Sequence, residues 1–138
     1  MDALYTAAAT ANGREGRAVS SDGTLDLPLA LPPALGGNGK GTNPEQLFAA
    51  GYAACFASAM GAVGRQEKID VSDVSVTAEV SIGKDAADGG FALSVVIRAE
   101  LPDHLQGEPG RALLEKTHAF CPYSKATRGN IPVELVIE

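Results

Sequence analysis

The sequence predicts an α+β fold, and three observations carry that expectation. Short strand-like segments separated by turn residues fill the first third of the chain. A long uncharged helical segment follows. Two alternating runs then form a hairpin ahead of a second helix and a last strand. The order strands, helix, hairpin, helix, strand favours helices packed against largely antiparallel sheet. With 138 residues, 45% of them hydrophobic, the chain has the length of one domain, residues 1–138, and enough apolar material for a core.

The first strand is read in ALYTAAATA, and Asn12-Gly13 is a hairpin-turn signal. RAVSSDG and TLDLPLAL continue the meander through a turn at Asp22-Gly23, and Pro28 restricts the latter to an edge strand. The loop LGGNGKGTNPEQ leads into a helix. Thr42 or Asn43 can cap it, Pro44 suits its first turn and Glu45 complements its positive end. That helix is expected from Pro44 to about Lys68. Val74, Val76, Ala78, Val80 and Ile82 alternate with polar residues, as do Phe91, Leu93, Val95, Ile97 and Ala99, with Asp88-Gly89-Gly90 in the turn between. This is a hairpin with one buried face. EPGRALLEKTHAF is a shorter helix with Pro109 in its first turn. It stops near CPYS, because Pro122 disfavours helical geometry at Cys121. NIPVELVIE is the last strand.

Composition excludes several classes. A formal net charge of −6 argues against a nucleic-acid partner, and no basic cluster marks an anionic membrane surface. The stretch Leu47–Gly64 carries no charge and reaches the length of a membrane span, but half of it is Ala or Gly. It is read instead as a helix surrounded by protein on most sides. MDALYTAAATANG has no basic leader region and is not expected to be a secretory signal. Two cysteines are too few for a disulfide scaffold, so a cytoplasmic setting with reduced thiols is expected. The Gly-rich loop lacks the G-x-x-x-x-G-K-[ST] spacing of a phosphate-binding loop.

The chemistry then rests on Cys55 and Cys121. Cys55 lies in the middle of the long helix, where apolar neighbours raise a thiol pKa. To react it needs a nearby cation, and Arg14, Arg17 and Arg128 are the candidates. Cys121, just past a helix end and before a proline, is expected to be partly exposed. His118 stands three residues before it, but no CxxC or HxxxH pair accompanies it, so no metal site is expected and His118 reads as a structural histidine.

GTNPEQLFAAGYAACF and CPYSKATRGNIPV, with YTA, NGREG and SSDG near the start, resemble the signature segments of the organic hydroperoxide resistance (Ohr) proteins of the OsmC/Ohr family. The resemblance spans essentially the whole chain, and both cysteine segments resemble the Ohr subgroup more than the OsmC subgroup. It implies an OsmC-like fold, with mostly antiparallel sheets around long central helices in an intertwined homodimer. It implies a thiol peroxidase in which Cys55 is peroxidatic, Cys121 resolving, Arg14 thiolate-stabilising and Glu45 arginine-orienting. It implies an organic hydroperoxide as substrate and no bound cofactor. The implied reductant is an external dithiol, dihydrolipoyl groups on a lipoylated protein. An OsmC-type peroxidase of broader specificity and a non-catalytic redox-sensing module are the alternatives.

Residues 45 and 55 are ten apart (55 − 45 = 10) on one helix, about 15 Å of rise and about 80° of rotation. A two-fold dimer with antiparallel long helices crossing near Ala50 and Gly51 brings Glu45 of one chain level with Cys55 of the other. The expectation is therefore a composite site, with Arg14, Cys55 and Cys121 from one chain and Glu45 from its partner.

Overall fold

The computed structural model describes all residues, 1–138. It contains two compact units, Met1–Leu47 and Phe48–Glu138. The first holds β1 (Ala9–Ala11), β2 (Gly16–Ser20) and β3 (Asp26–Leu29) in an antiparallel sheet of order β1-β2-β3. Pro28 lies opposite Arg17 on the edge strand β3, as a residue without an N–H requires. Beyond β3 the chain loops back so that Leu29 bridges Thr42, with Ala30 N–H donating to the Thr42 carbonyl at 2.9 Å.

α1 (Pro44–Glu67) starts at this point. Asn43 is its cap, its Oδ1 accepting the Gln46 N–H at 2.9 Å. The helix ends where Lys68 turns left-handed (φ 57°) and the Ile69 N–H reaches back to the Gly64 carbonyl at 2.8 Å. Tyr52, Phe56, Met60 and Val63 are its large buried side chains, at helical spacing. Ala50, Ala54, Ala57 and Ser58 are exposed, so within one chain the helix is not covered all round. Its length and hydropathy satisfy those of a membrane span, but Tyr52, Phe56, Ala59, Met60 and Val63 belong to the protein core.

The second unit contains the hairpin β4 (Ser75–Lys84) and β5 (Phe91–Glu100), then α2 (Glu108–Phe120), α3 (Pro122–Thr127) and β6 (Val133–Ile137). β4 and β5 are antiparallel, whereas β6 runs parallel to β5 over Val95–Ala99. The intervening α2 and α3 form the crossover that parallel pairing demands. Val95, Ile97 and Ala99 of β5 enter the core with the α1 residues and with Leu101, Leu105, Leu113 and Leu114. Phe91 departs from the expected buried face and is 73% exposed. It pairs with Lys84 at the hairpin tip, beyond the strand length that β6 covers. The short helix α3 was not legible in the sequence.

Gly110, buried in the first turn of α2, permits the closest approach in this unit. A Cβ there would fall on the Leu105 carbonyl oxygen and lie 2.6 Å from Leu101 Cδ1. Gly110→Ala is expected to destabilise the protein by about 1–3 kcal/mol through overpacking against backbone. A lower unfolding midpoint is the readout, and an unchanged midpoint contradicts it.

Candidate active site

Cys55 and Cys121 are both free thiols, with Cys121 Sγ 3.5 Å from Cys55 Sγ. Cys55 projects from the fourth turn of α1 and is half-buried. Cys121 occupies the corner between α2 and α3. Pro122 cannot extend α2 but suits the first position of α3, so Cys121 adopts extended backbone (φ −66°, ψ 125°) between the two helices. Its N–H donates to the Thr117 carbonyl at 2.9 Å, and its own carbonyl accepts the Lys125 N–H at 3.0 Å. The side chain is fully buried, contrary to the partial exposure expected. The corner is closed over it because α3 turns the chain back instead of releasing it into a loop.

An aromatic wall stands one turn before Cys55. Phe48 and Tyr52 meet edge to face at 6.0 Å, and Tyr123 lies 6.1 Å from Phe48 and 5.6 Å from Tyr52. Gly51 leaves the room Tyr123 needs, since a Cβ there would sit 2.7 Å from its hydroxyl. Phe48 also lines a groove of about 390 Å³ with Phe91, Ala92, Leu93, Ala126 and Ile131.

Behind Cys121 lies a polar cluster absent from the sequence expectations. Ser124 Oγ is 2.8 Å from His118 Nδ1 and 2.9 Å from the Tyr52 hydroxyl, which is 3.1 Å from Thr127 Oγ1. Arg128 Nη2 donates to the His118 carbonyl, 2.6 Å away, at the end of α2. Burial first, and the Arg128 charge second, push His118 below its ordinary pKa. The sequence offers only a partial signal for this cluster: Ser124 and Thr127 are three apart, and Tyr52 is one turn before Cys55.

In the first unit, Arg14 lies in the turn between β1 and β2, where Gly13 and Gly16 both take positive φ (121° and 120°). Its guanidinium grips Glu45 bidentately, Nη1 to Oε2 at 2.9 Å and Nη2 to Oε1 at 2.7 Å. The Glu45 side chain is only 13% exposed. Arg14 pulls its carboxyl below the usual carboxylate range, and Glu45 in turn raises Arg14. The partnership corrects the expected composite site: Glu45 pairs with Arg14 of its own chain, not of a partner. The first turn of α1 and the β1–β2 turn meet within one unit, so the pair needs no second chain. The other candidate cations are engaged elsewhere, Arg17 with Asp26 at 2.7 Å and Arg128 with the α2 terminus.

Within its own unit Cys55 is shaped for a neutral thiol. Burial pushes its pKa up, the Tyr123 main-chain amide opposes this, and the Cys121 thiol adds to the rise. No cluster of three or more His, Cys, Asp or Glu side chains has the arrangement of a metal site.

An α+β scaffold presenting two contacting free thiols defines a dithiol protein, and comparison with known proteins narrows the class. Residues 37–136 match the family described as OsmC-like protein, and the chain belongs to that family. It is 54% identical over 137 residues to the organic hydroperoxide resistance protein of Xanthomonas axonopodis pv. citri, covering 97% of this chain and 94% of that one. Among solved structures, an organic hydroperoxide resistance protein OsmC from Legionella pneumophila matches with a TM-score of 0.91 at 48% identity, covering 99% of both chains. The organic hydroperoxide resistance protein OhrB of Bacillus subtilis matches with a TM-score of 0.88 at 45% identity, covering 99% of this chain and 100% of that one. The resemblance read from the two cysteine segments is thereby borne out, and so is the OsmC-like fold.

Proposed function

We propose that the chain is a cysteine-based thiol peroxidase that reduces organic hydroperoxides to alcohols. The observation that carries this reading is the contact of one half-exposed and one fully buried free thiol at 3.5 Å. The accessible Cys55 is the one a peroxide can meet. The buried Cys121 waits at the distance of a near-attack contact. The names of the relatives point to the same substrate class.

The thiolate of Cys55 attacks the terminal oxygen of the hydroperoxide. The O–O bond breaks, Cys55 becomes a sulfenic acid, and the alkoxide leaves and takes up a proton to become the alcohol. Cys121 then attacks the Cys55 sulfur. An S–S bond replaces the S–O bond, and hydroxide leaves with the Cys121 proton as water. An external dithiol reduces this disulfide by exchange and is itself oxidised to a disulfide. Dihydrolipoyl groups on a lipoylated protein are the reductant that family membership favours. The chemistry suits a reducing, cytoplasmic compartment. The aromatic wall of Phe48, Tyr52 and Tyr123, one turn from Cys55, favours an alkyl or fatty-acid hydroperoxide over hydrogen peroxide.

The thiolate needs a cation, and Arg14 supplies it in a homodimer. Ten helical residues put about 15 Å of rise between Glu45 and Cys55. Two α1 helices crossing antiparallel near Ala50 and Gly51 set the intact Arg14–Glu45 pair of one chain level with Cys55 of the other. The exposed Ala50, Ala54, Ala57 and Ser58 permit that close crossing. This retains the expected dimer while moving Arg14 to the same side as Glu45.

Arg14→Ala tests this role. Without the cation, burial governs Cys55, so its apparent pKa rises and less thiolate is present at neutral pH. Alkylation of Cys55 against pH should move upward by roughly 1–3 units. An unmoved profile removes Arg14 from the site.

The function itself is tested by steady-state turnover of an alkyl hydroperoxide with dihydrolipoamide, beside hydrogen peroxide. Sustained consumption of the organic peroxide, faster than that of hydrogen peroxide, supports the proposal. Oxidation once, without turnover, would mark a redox switch instead.

A further inference from the structure

The hydroxyl groups behind Cys121 have a fixed proton inventory. Thr127 Oγ1 donates its only proton to the Ser124 carbonyl at 3.1 Å. It must therefore accept from the Tyr52 hydroxyl. Tyr52 has then spent its proton and must accept from Ser124 Oγ. Ser124 has spent its own in turn, so His118 must donate through Nδ1. All four contacts are satisfied together in this one direction, from His118 to Ser124 to Tyr52 to Thr127. The neutral ring of His118 is thereby fixed as the Nδ1–H tautomer.

The chain of bonds joins the helix that carries Cys55 to the two helices that flank Cys121. Tyr52 is three residues before Cys55 on α1, His118 three before Cys121 on α2, and Ser124 three after Cys121 on α3. Tyr52 and Ser124 are fully buried and Thr127 is 4% exposed. Cys121 itself sits outside both helices, and its only polar side-chain contact is Cys55. A fully satisfied buried network fixes one geometry where apolar packing of the same volume tolerates several.

We propose that His118, Ser124, Tyr52 and Thr127 form a positioning relay that holds the Cys121 thiol against Cys55, so that disulfide formation outruns overoxidation of the Cys55 sulfenic acid. The relay acts through Cys121, and its members His118 and Ser124, the two substituted below, stand outside both the aromatic wall and the groove beside Phe48. It rests on the peroxidase reading above, and it adds a determinant of the second chemical step that leaves the first untouched.

The test separates the two steps. Reduced protein is mixed with one equivalent of an alkyl hydroperoxide. Peroxide loss, disulfide formation and Cys55 sulfinic acid are then followed in wild type, Ser124→Ala, His118→Asn and His118→Gln. Asn can place an N–H where Nδ1 donates, whereas Gln places it near the position of Nε2. In Ser124→Ala and His118→Gln, disulfide formation should slow by about tenfold or more, peroxide loss should stay near wild type, and sulfinic acid should accumulate. His118→Asn should restore disulfide formation. Nitrogen NMR of the wild-type ring should report the Nδ1–H tautomer. Disulfide formation at the wild-type rate in both Ser124→Ala and His118→Gln overturns the relay, as does identical behaviour of Asn and Gln or an Nε2–H ring. His118 is only half-buried, so the Asn and Gln pair keeps the test decisive if Ser124→Ala does not fold. A wild-type protein that consumes no peroxide or forms no disulfide overturns the peroxidase reading itself, a result distinct from relay failure.

Discussion

Cys55→Ser is expected to abolish consumption of organic hydroperoxide, a loss on the order of 10³-fold or more in turnover, as removal of a nucleophile does. The substitution is nearly isosteric, and the site is half-buried, so the fold should survive it. What is lost is the polarisable sulfur that forms the bond to oxygen. A serine hydroxyl, with no base placed to deprotonate it, does not replace a thiolate. Cys121, fully buried behind Cys55, cannot meet the substrate in its place. Coupled assay of peroxide loss with a dithiol present is the check. Residual turnover within tenfold of wild type would remove Cys55 from the reaction.

Cys121→Ser should behave differently, and the contrast carries the assignment of roles. The first equivalent of peroxide should still disappear at a rate near wild type. Steady-state turnover should then collapse, and Cys55 should advance to sulfinic acid when peroxide is in excess. The buried serine hydroxyl costs about 1–3 kcal/mol if it finds no partner in a site built for sulfur. Cys121→Ala is the companion variant that separates lost stability from lost resolution. Equal loss of the first equivalent in Cys55→Ser and Cys121→Ala would reject the division of labour.

Much of the scaffold was written locally and could be read so. Asn43, Pro44 and Glu45 announce the start of α1, and the alternation from Val74 to Ala99 announces the hairpin. Both follow from cap chemistry and period, which need no knowledge of the rest of the chain. Pro122 ended α2 as expected, but the same proline begins α3, and that second role is what buries Cys121. The parallel direction of β6 was illegible because it depends on a crossover, and no local pattern encodes it. Phe91 alternates correctly with the core residues and is nevertheless exposed, since β6 stops short of the hairpin tip.

The site was legible unevenly for the same reason. The resemblance points to Arg14 and Glu45, but helix geometry places Arg14 with Cys55 and Glu45 on the partner chain, because the spacing along one helix carries no information on the β1–β2 turn that meets it. The bidentate contact within one chain corrects that. The relay behind Cys121 went unread because Tyr52, His118, Ser124 and Thr127 each have an ordinary structural role in isolation. Only their convergence on one corner reveals a shared one.

The most direct measurement is a titration of fully reduced protein with one equivalent of an alkyl hydroperoxide, with the alcohol, the remaining thiols and the cross-linked peptides quantified together. The account predicts one alcohol formed for each pair of thiols lost, both of the chain's two cysteines consumed, and a single Cys55–Cys121 peptide within one chain. Thiols left intact, or a disulfide linking chains in place of that peptide, would contradict it.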